Sequence, residues 1–295
     1  MQKAGSHIRQ TAVAGSFYED NPKRCAADAR RLCEPFDEVE LPAVPHGALV
    51  PHAGWTYSGR TAGGTLAALA AHTSARTLVI TGSVHTVGLG HPATDTYDAW
   101  MTPLGPVAVD GALREAINGL DDFRPVMDAH RVEHCIEVEL PLIQTVFGEG
   151  VMIVPCLIPP QKSAPQWGRQ IGRLLREWPE PVAVIASVDL THYGPSYGFT
   201  SHGAGESGYR WAHETNDRQL LNLISRLAAD DILAHTDSHH SACGGGAIAA
   251  TAAACAETGA RRGYVLHQTD STRETGVLGT GNRQDSVGYA GVVFG

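Results

Sequence analysis

Two histidines and one cysteine of this chain have residue types and surroundings that suit the binding of a metal ion. His52 lies near the end of the apolar segment 46–54 and His85 ends the similar segment 75–85, so each histidine follows a predicted strand. Cys243 stands directly before the glycine-rich start of a predicted helix. Imidazole and thiolate are good ligands for first-row transition metals, and a helix N-terminus favours the thiolate form of cysteine. Three such ligands would leave positions open for water, substrate or dioxygen.

A second pair of polar residues, Asp189 and His192 in "SVDLTHYG" (187–194), also follows a predicted strand. His192 suits general acid–base catalysis because the pKa of imidazole lies near neutrality. Asp189 could orient an imidazole through a hydrogen bond. A simpler interpretation, an aspartate that caps a turn beside a surface histidine, fits the same residues.

The segment "HRVEHCIEVELP" (130–141) carries further candidates. On a helix, His130 and His134 would share one face, and Glu137 would be a neighbour of His134. The glutamate of the zinc-protease pattern HExxH is absent, so this pair is a poor match to that class. We therefore expect His134 and Glu137 to contact the substrate or to support the metal ligands.

Cys243 also permits a different chemistry. A thiol at a helix N-terminus with a nearby histidine as base is the arrangement of a cysteine-nucleophile hydrolase or transferase. His239 and His240 lie close to Cys243 in the sequence and could join a site there or belong to a loop. The chain lacks the glycine patterns of nucleotide-binding loops and the GxSxG motif of serine hydrolases.

The elements that must position these residues alternate along the chain. Apolar runs typical of buried strands occupy 46–54, 75–85, 150–158 and 181–192, and the C-terminal "DSVGYAGVVFG" indicates a late strand. The predicted helices lie at 20–33, 60–72, 111–119, 133–147, 163–177, 208–229 and 244–258. This alternation predicts one α/β domain over residues 1–295, with a mixed, mostly parallel sheet covered by helices on both faces. Ligands of such sheets collect at the carboxyl ends of the strands.

Composition narrows the classes of function. The 295 residues are 43% hydrophobic and 18% charged, with a formal net charge of -9, so we expect no binding to nucleic acid, which requires basic surface. We find no signal peptide and no apolar stretch of the roughly 20 residues that cross a bilayer, so we expect a cytoplasmic protein without membrane contact. The six cysteines are scattered, which favours reduced thiols.

Five segments, in order along the chain, resemble the Memo family, which includes the AmmeMemoRadiSam system protein B proteins. They are "VAGSFY" (13–18), "PHAGWTYSG" (51–59), "EHCIEVELP" (133–141), "SVDLTHYG" (187–194) and "ACGGGAIAA" (242–250). The resemblance implies a fold similar to that of the class III extradiol ring-cleavage dioxygenases, which use non-haem Fe(II).

The resemblance also implies roles for particular residues. The metal ligands of the family fall on His52, His85 and Cys243, and its other polar pocket residues fall on Asp189 and His192. By analogy of fold, His192 stands where the dioxygenases keep an acid–base histidine. Fe(II) is the expected metal, with Cu and Zn as alternatives that accept the same ligands.

One segment departs from the family pattern. The family usually has a turn like "GPxHH", whereas this chain has "GSVHT", with Ser83 for the proline and Thr86 for the second histidine. The departure leaves the ligand His85 in place but puts the contacts with a substrate in doubt.

The resemblance leaves two functions open. The first is an O2-dependent oxidoreductase that acts on a small, catechol- or aminophenol-like molecule. The second is a metal-binding redox or adaptor protein without turnover. In either case, exposed edge strands would allow a homodimer.

Overall fold

The computed structural model describes residues 7–36, 41, 44–86, 88–275 and 284–295. The strands are β1 (Ile8–Arg9), β2 (Gly47–Val50), β3 (Thr77–Gly82), β4 (Ala93–Thr94), β5 (Ala99–Trp100), β6 (Val107–Val109), β7 (Arg124–Pro125), β8 (Met152–Leu157), β9 (Val182–Ser187), β10 (His192–Tyr193), β11 (Gly263–Asp270) and β12 (Ser286–Phe294). The α-helices are α1 (Pro22–Leu32), α2 (Trp55–His72), α3 (Gly111–Asn118), α4 (Met127–Arg131), α5 (Leu140–Phe147), α6 (Ala164–Glu177), α7 (Glu206–Arg210), α8 (Asp217–Ser225), α9 (Ala229–His239), α10 (Gly245–Thr258) and α11 (Ser271–Thr275).

The strands form one mixed sheet with the order β1-β5-β6-β8-β3-β9-β2-β12-β10. Its centre, from β6 to β2, is parallel throughout, whereas β12 runs antiparallel to β2, β10 and β11. The predicted α/β fold with a mostly parallel central sheet is therefore confirmed. None of the helices in the described ranges is both long and apolar enough to span a bilayer.

Both faces of the sheet are buried, as the continuous apolar runs predict. In β3, Val79 packs into one hydrophobic cluster while Leu78 and Ile80 pack into another on the opposite face. The first cluster receives side chains from α6, α8 and α10, and the second from α1, α2 and α5. Side chains of a strand alternate between faces, so a strand covered on both sides needs apolar residues at every position.

The predicted helices at 20–33, 60–72, 111–119, 163–177 and 244–258 are confirmed, although α2 begins earlier, at Trp55. The predicted helix 133–147 is correct only in its second half. Residues 132–136 are not helical, and a 3-10 turn (Glu137–Glu139) leads into α5. The region 208–229 contains a π-helical turn (Trp211–Asn216) between α7 and α8. The sequence predictions omitted α9 and β11.

Helices α6 and α10 pack closely because small residues line their contact. A Cβ atom on Gly168 of α6 would overlap the carbonyl group of Ala250 in α10, and both backbones belong to rigid helices. Since α10 carries Cys243 on the segment that enters it, this contact also fixes the cysteine relative to the sheet.

Gly168→Ala is expected to lower the free energy of unfolding by about 2 kcal/mol, because overpacking a rigid helix contact costs more than the added helix propensity returns. Gly111→Ala is the matched control, since no atom lies within 4 Å of its Cβ position. Denaturation with urea measures both variants. Equal stability of the two variants would contradict the close packing of α6 on α10.

Candidate metal centre

The carboxyl ends of three parallel strands meet at one point of the sheet. Ser187, the last residue of β9, is paired with Val50 of β2 on one side and with Gly82 of β3 on the other. The segments that leave these strands therefore carry His52, His85 and Asp189 to the same edge of the sheet. This is the place where ligands of parallel sheets collect.

Hydrogen bonds hold both the backbone and the ring of His52. It is only 2% exposed, and its backbone N–H donates to Asp189 Oδ1 at 2.7 Å. Its Nδ1 atom lies 2.8 Å from the carbonyl oxygen of Ser187, so Nδ1 carries the proton. The other nitrogen, Nε2, lies 3.4 Å from Cys243 Sγ. Backbone contacts of this kind fix the ring of a histidine that ligates a metal through its other nitrogen.

His85 is positioned by Glu133, a residue that the sequence predictions missed. The buried Glu133 carboxylate accepts from the backbone N–H of His85 at 2.8 Å and pairs with its Nδ1 at 2.9 Å. It also accepts from the backbone N–H of His134 at 2.9 Å. Burial alone would raise the pKa of Glu133, but the hydrogen bond and charge of His85 lower it to about 2. Glu133 is thus an anion. Because it pairs with Nδ1 of His85, the Nε2 atom of the same ring is left available as a ligand.

Cys243 reaches the strand ends from the start of α10. Its backbone N–H donates to the carbonyl oxygen of Asp189 at 3.2 Å, and its Sγ lies 3.6 Å from Ser83 Oγ. A Cβ atom on Gly244 would overlap Ser83 and come within 2.8 Å of Val188, so glycine is needed for this approach. Ser83, one of the two departures from the family pattern, therefore contacts the cysteine directly. Thr86, the other departure, is exposed to solvent.

His134 lies beside the two predicted histidine ligands. The ring centroid of His134 is 5.3 Å from that of His52 and 4.7 Å from that of His85. Among the described residues, two groups of three potential ligands have donor atoms within 4.8 Å of one another. These groups are His52, His85 and His134, and His85, Glu133 and Cys135. Cys243 extends the first group through its contact with His52.

The charges of this cluster depend on one another. Burial would raise the pKa of Cys243, but the charge and hydrogen bond of His52 lower it well below its usual value. Burial would lower the pKa of His52, yet Cys243 and Asp189 raise it to about 10. Burial, aided by the positive charge of His52, lowers the pKa of His134 to about 4. A thiolate among these groups is stable only beside a positive charge. Here that charge is the proton on His52, and a bound metal ion would take its place.

His192 lies in the same region but is not oriented by Asp189. Its Nε2 atom is 3.9 Å from Asp189 Oδ2, which is too long for a hydrogen bond. This buried Nε2 atom has no hydrogen-bond partner among the described residues. The Asp189 carboxylate instead accepts a hydrogen bond from the backbone N–H of His52, and so holds the segment that carries His52.

The carboxylate of Glu137 is engaged by the N-terminal segment of the chain. This buried carboxylate pairs with Arg9 at 2.7 Å and accepts from the backbone N–H groups of Ala12 and Val13 and from the hydroxyl of Tyr18. These contacts fasten the N-terminal segment to the fold. Because the chain at 132–136 is not helical, Glu137 and His134 do not share a helix face and have different partners.

A cavity of about 790 Å³ opens onto the cluster. Its wall includes His52, His85, His134, Asp189 and His192. Six of the other lining residues are aromatic or aliphatic: Phe17, Ala53, Tyr57, Tyr197, Val287 and Tyr289. The others are Ser16, Gly54, Ser196, Ser271, Thr275 and Asp285. The cavity is of the size and character that bind small organic molecules.

Comparison with known proteins gives the family. The family model described as "Memo-like protein" matches residues 9–293, so the chain belongs to the Memo family. MEMO1 family proteins of Methanosarcina barkeri, Methanopyrus kandleri and Thermococcus kodakarensis are each 33% identical to it, over 97% of this chain and 98–99% of theirs. An uncharacterized protein from Escherichia coli K12 of known structure aligns with a TM-score of 0.48 and 14% identity, over 78% of this chain and 91% of that chain.

Burial disfavours the charged form of His85, but hydrogen bonds with Cys243 and Glu133 raise its pKa to about 9. Glu133→Gln is expected to lower this pKa, because the neutral amide no longer stabilises the imidazolium form. The imidazole shifts of His85 in the metal-free protein, followed by NMR against pH, measure this change. Glu149→Gln is the control, since Glu149 is an exposed carboxylate elsewhere on the surface. An unchanged His85 titration would show that Glu133 does not govern this ring.

Proposed function

We propose that the protein is a mononuclear metalloprotein whose metal, Fe(II) in the first instance, is held by His52, His85 and Cys243. We propose further that it is an O2-dependent oxidoreductase that acts on a small catechol- or aminophenol-like substrate. The observation that carries the proposal is the convergence of two oriented imidazoles in the wall of the large cavity with the thiol group of Cys243 beside them, 3.4 Å from His52 Nε2.

The donor set fits a metal ion of this class. The Nδ1 atoms of His52 and His85 are both occupied by protein groups, which leaves their Nε2 atoms for the metal. The thiolate of Cys243 supplies a negative charge that a divalent ion would balance. His134 is a further imidazole in reach, and its lowered pKa keeps it neutral and able to bind.

A bound Fe(II) would supply a Lewis-acidic centre that polarises the hydroxyl groups of the substrate, and a redox-active centre through which electrons of the substrate reach O2. The side chains of the protein bind the substrate, exclude water and move the proton. The aromatic walls of the cavity bind the substrate ring and exclude water. Tyr197 packs against the ring of His192, with 5.0 Å between centroids, and so holds that imidazole at the cavity wall.

His192 is the residue that moves the proton. Its Nε2 atom has no partner among the described side chains, so its lone pair is available to a substrate hydroxyl. As a general base, Nε2 takes the proton that this hydroxyl loses and later returns it to the product. Asp189 lies too far away to fix the ring by a hydrogen bond.

The thiolate ligand distinguishes this centre from one that contains only imidazole and carboxylate groups. Sulfur is a softer and more electron-donating ligand than oxygen, so Cu is the main competitor of Fe(II) at this site. The contact of Ser83 Oγ with Cys243 Sγ allows a hydrogen bond that would moderate the electron donation of the sulfur.

Protein purified without oxygen and reconstituted with Fe(II) is expected to bind one ion per chain. Cys243→Ser and His52→Ala should each bind at least about tenfold more weakly, because each removes a ligand. Metal analysis after gel filtration measures the stoichiometry, and circular dichroism checks the fold. Cys255→Ser, which changes a buried thiol beside Gly47 at the amino end of β2, is the control. Full metal content in Cys243→Ser would contradict the ligand assignment.

The Fe(II)-loaded protein is expected to consume O2 in the presence of catechols or aminophenols. His192→Gln should reduce this rate by about a hundredfold while the metal content stays the same, since the loss of a general base commonly has this effect. An oxygen electrode with a panel of substituted phenols measures the rates. Stoichiometric metal without uptake across the panel would favour the alternative, a redox or adaptor protein that binds metal without turnover.

A further inference from the structure

A second cavity reaches the thiolate from a different direction. It has a volume of about 520 Å³ and includes Ala242 and Cys243 in its wall, whereas the wall of the large cavity does not include Cys243. The two cavities share His192 and Tyr197. The rings of these two residues, tilted against each other with 5.0 Å between centroids, therefore lie between the two cavities. Cys243 itself is partly exposed, in contrast to the other cysteines, which are buried.

The outer wall of this second cavity is formed by His240. This residue follows the last residue of α9 and has a left-handed backbone conformation, with φ at 48°. Its exposed ring lies edge-on against Phe199, with 5.4 Å between ring centroids. Among the described residues, no hydrogen bond involves the imidazole nitrogens of His240, so both are available to a ligand.

The surroundings of His240 attract cations. The C-terminus of α9 has a partial negative charge, and the chain carries a formal net charge of -9. His239 and His235, on the preceding turn, stack on each other with 4.3 Å between their ring centroids, and neither lines the second cavity. The cavity thus has an imidazole at its mouth and a thiolate at its base.

No group of three ligand atoms that includes His240 lies within 4.8 Å among the described residues, so the cavity is not a second stable metal site. A single imidazole near solvent can still displace one water molecule from a hydrated metal ion, bind that ion briefly and then release it. Transfer from there to the thiolate would avoid the substrate cavity. The separate cavity and the unpartnered imidazole together fit a route of this kind.

We propose that the second cavity is the entry route for the metal ion, and that His240 is the first protein ligand on that route. The inference rests on the proposed metal centre. It assigns to His240 a kinetic role: the residue speeds the arrival of a divalent first-row ion at Cys243 but is not a ligand in the final complex.

The test is the rate at which metal-free protein takes up Co(II), followed in a stopped-flow instrument by the thiolate-to-cobalt absorbance. His240→Gly removes the imidazole and suits the left-handed backbone at this position. We expect its loading rate to fall about tenfold, at the low end of the effects that local attraction has on association rates. The final absorbance and the Co(II) affinity should be unchanged. His239→Ala is the matched control and should load at the wild-type rate, because His239 is not part of the cavity wall.

A second variant tests the route itself. Ala242→Leu fills part of the second cavity without removing an imidazole, and it should also slow loading while the final spectrum stays the same. Wild-type rates in both His240→Gly and Ala242→Leu would overturn the entry route. A weakened affinity or altered final spectrum in His240→Gly would also overturn it, because His240 would then be a permanent ligand. Absence of the thiolate-to-cobalt band in the wild-type protein would contradict the proposed centre, and the route with it.

Discussion

Asp189 makes two hydrogen bonds on which the geometry of the centre depends. Its carboxylate accepts from the backbone of His52, and its backbone carbonyl accepts from Cys243, so one residue joins the end of β2 to the start of α10. The parallel register of β2, β9 and β3 brings the third segment, with His85, to the same point. These hydrogen bonds and the strand register thereby bring together segments that are far apart in the sequence. A buried backbone N–H group without a hydrogen-bond partner is costly, so these hydrogen bonds stabilise this arrangement and favour it over others.

Charge balance explains why the same residues can hold a metal ion. A buried thiolate is costly unless a positive group accompanies it. In this fold the positive group is the imidazolium of His52, and the buried carboxylate of Glu133 balances His85 in the same way. A divalent ion would take over this role, so binding would be accompanied by release of protons. The neutral His134 adds an imidazole that needs no deprotonation.

The contrast between Glu133 and Glu137 shows where inference from the sequence stopped. Both glutamates flank His134 in one short motif, and helical spacing favoured Glu137 as its neighbour. In the structure the chain turns between them, so Glu133 faces the histidines and Glu137 faces Arg9 more than 120 positions away. The ion pair of Glu137 with Arg9 is buried on both sides and depends on a strand at the other end of the chain. No local pattern could have revealed it, because the spacing of residues is informative only within a regular element.

The sequence by itself determined the α/β class, the strands β2, β3, β8, β9 and β12, most of the helices, and the residues that would lie at the ends of these strands. It could do so because apolar periodicity, glycine and polar strand ends are local signals of burial and termination. Only the tertiary structure decided that Asp189 serves His52 rather than His192, that Glu133 supports His85, and that Ser83 contacts Cys243. It alone revealed the large cavity at His52 and His85 and the second cavity at Cys243. These features arise from contacts between distant segments, whose geometry is set by strand register and helix packing and leaves no pattern along the chain.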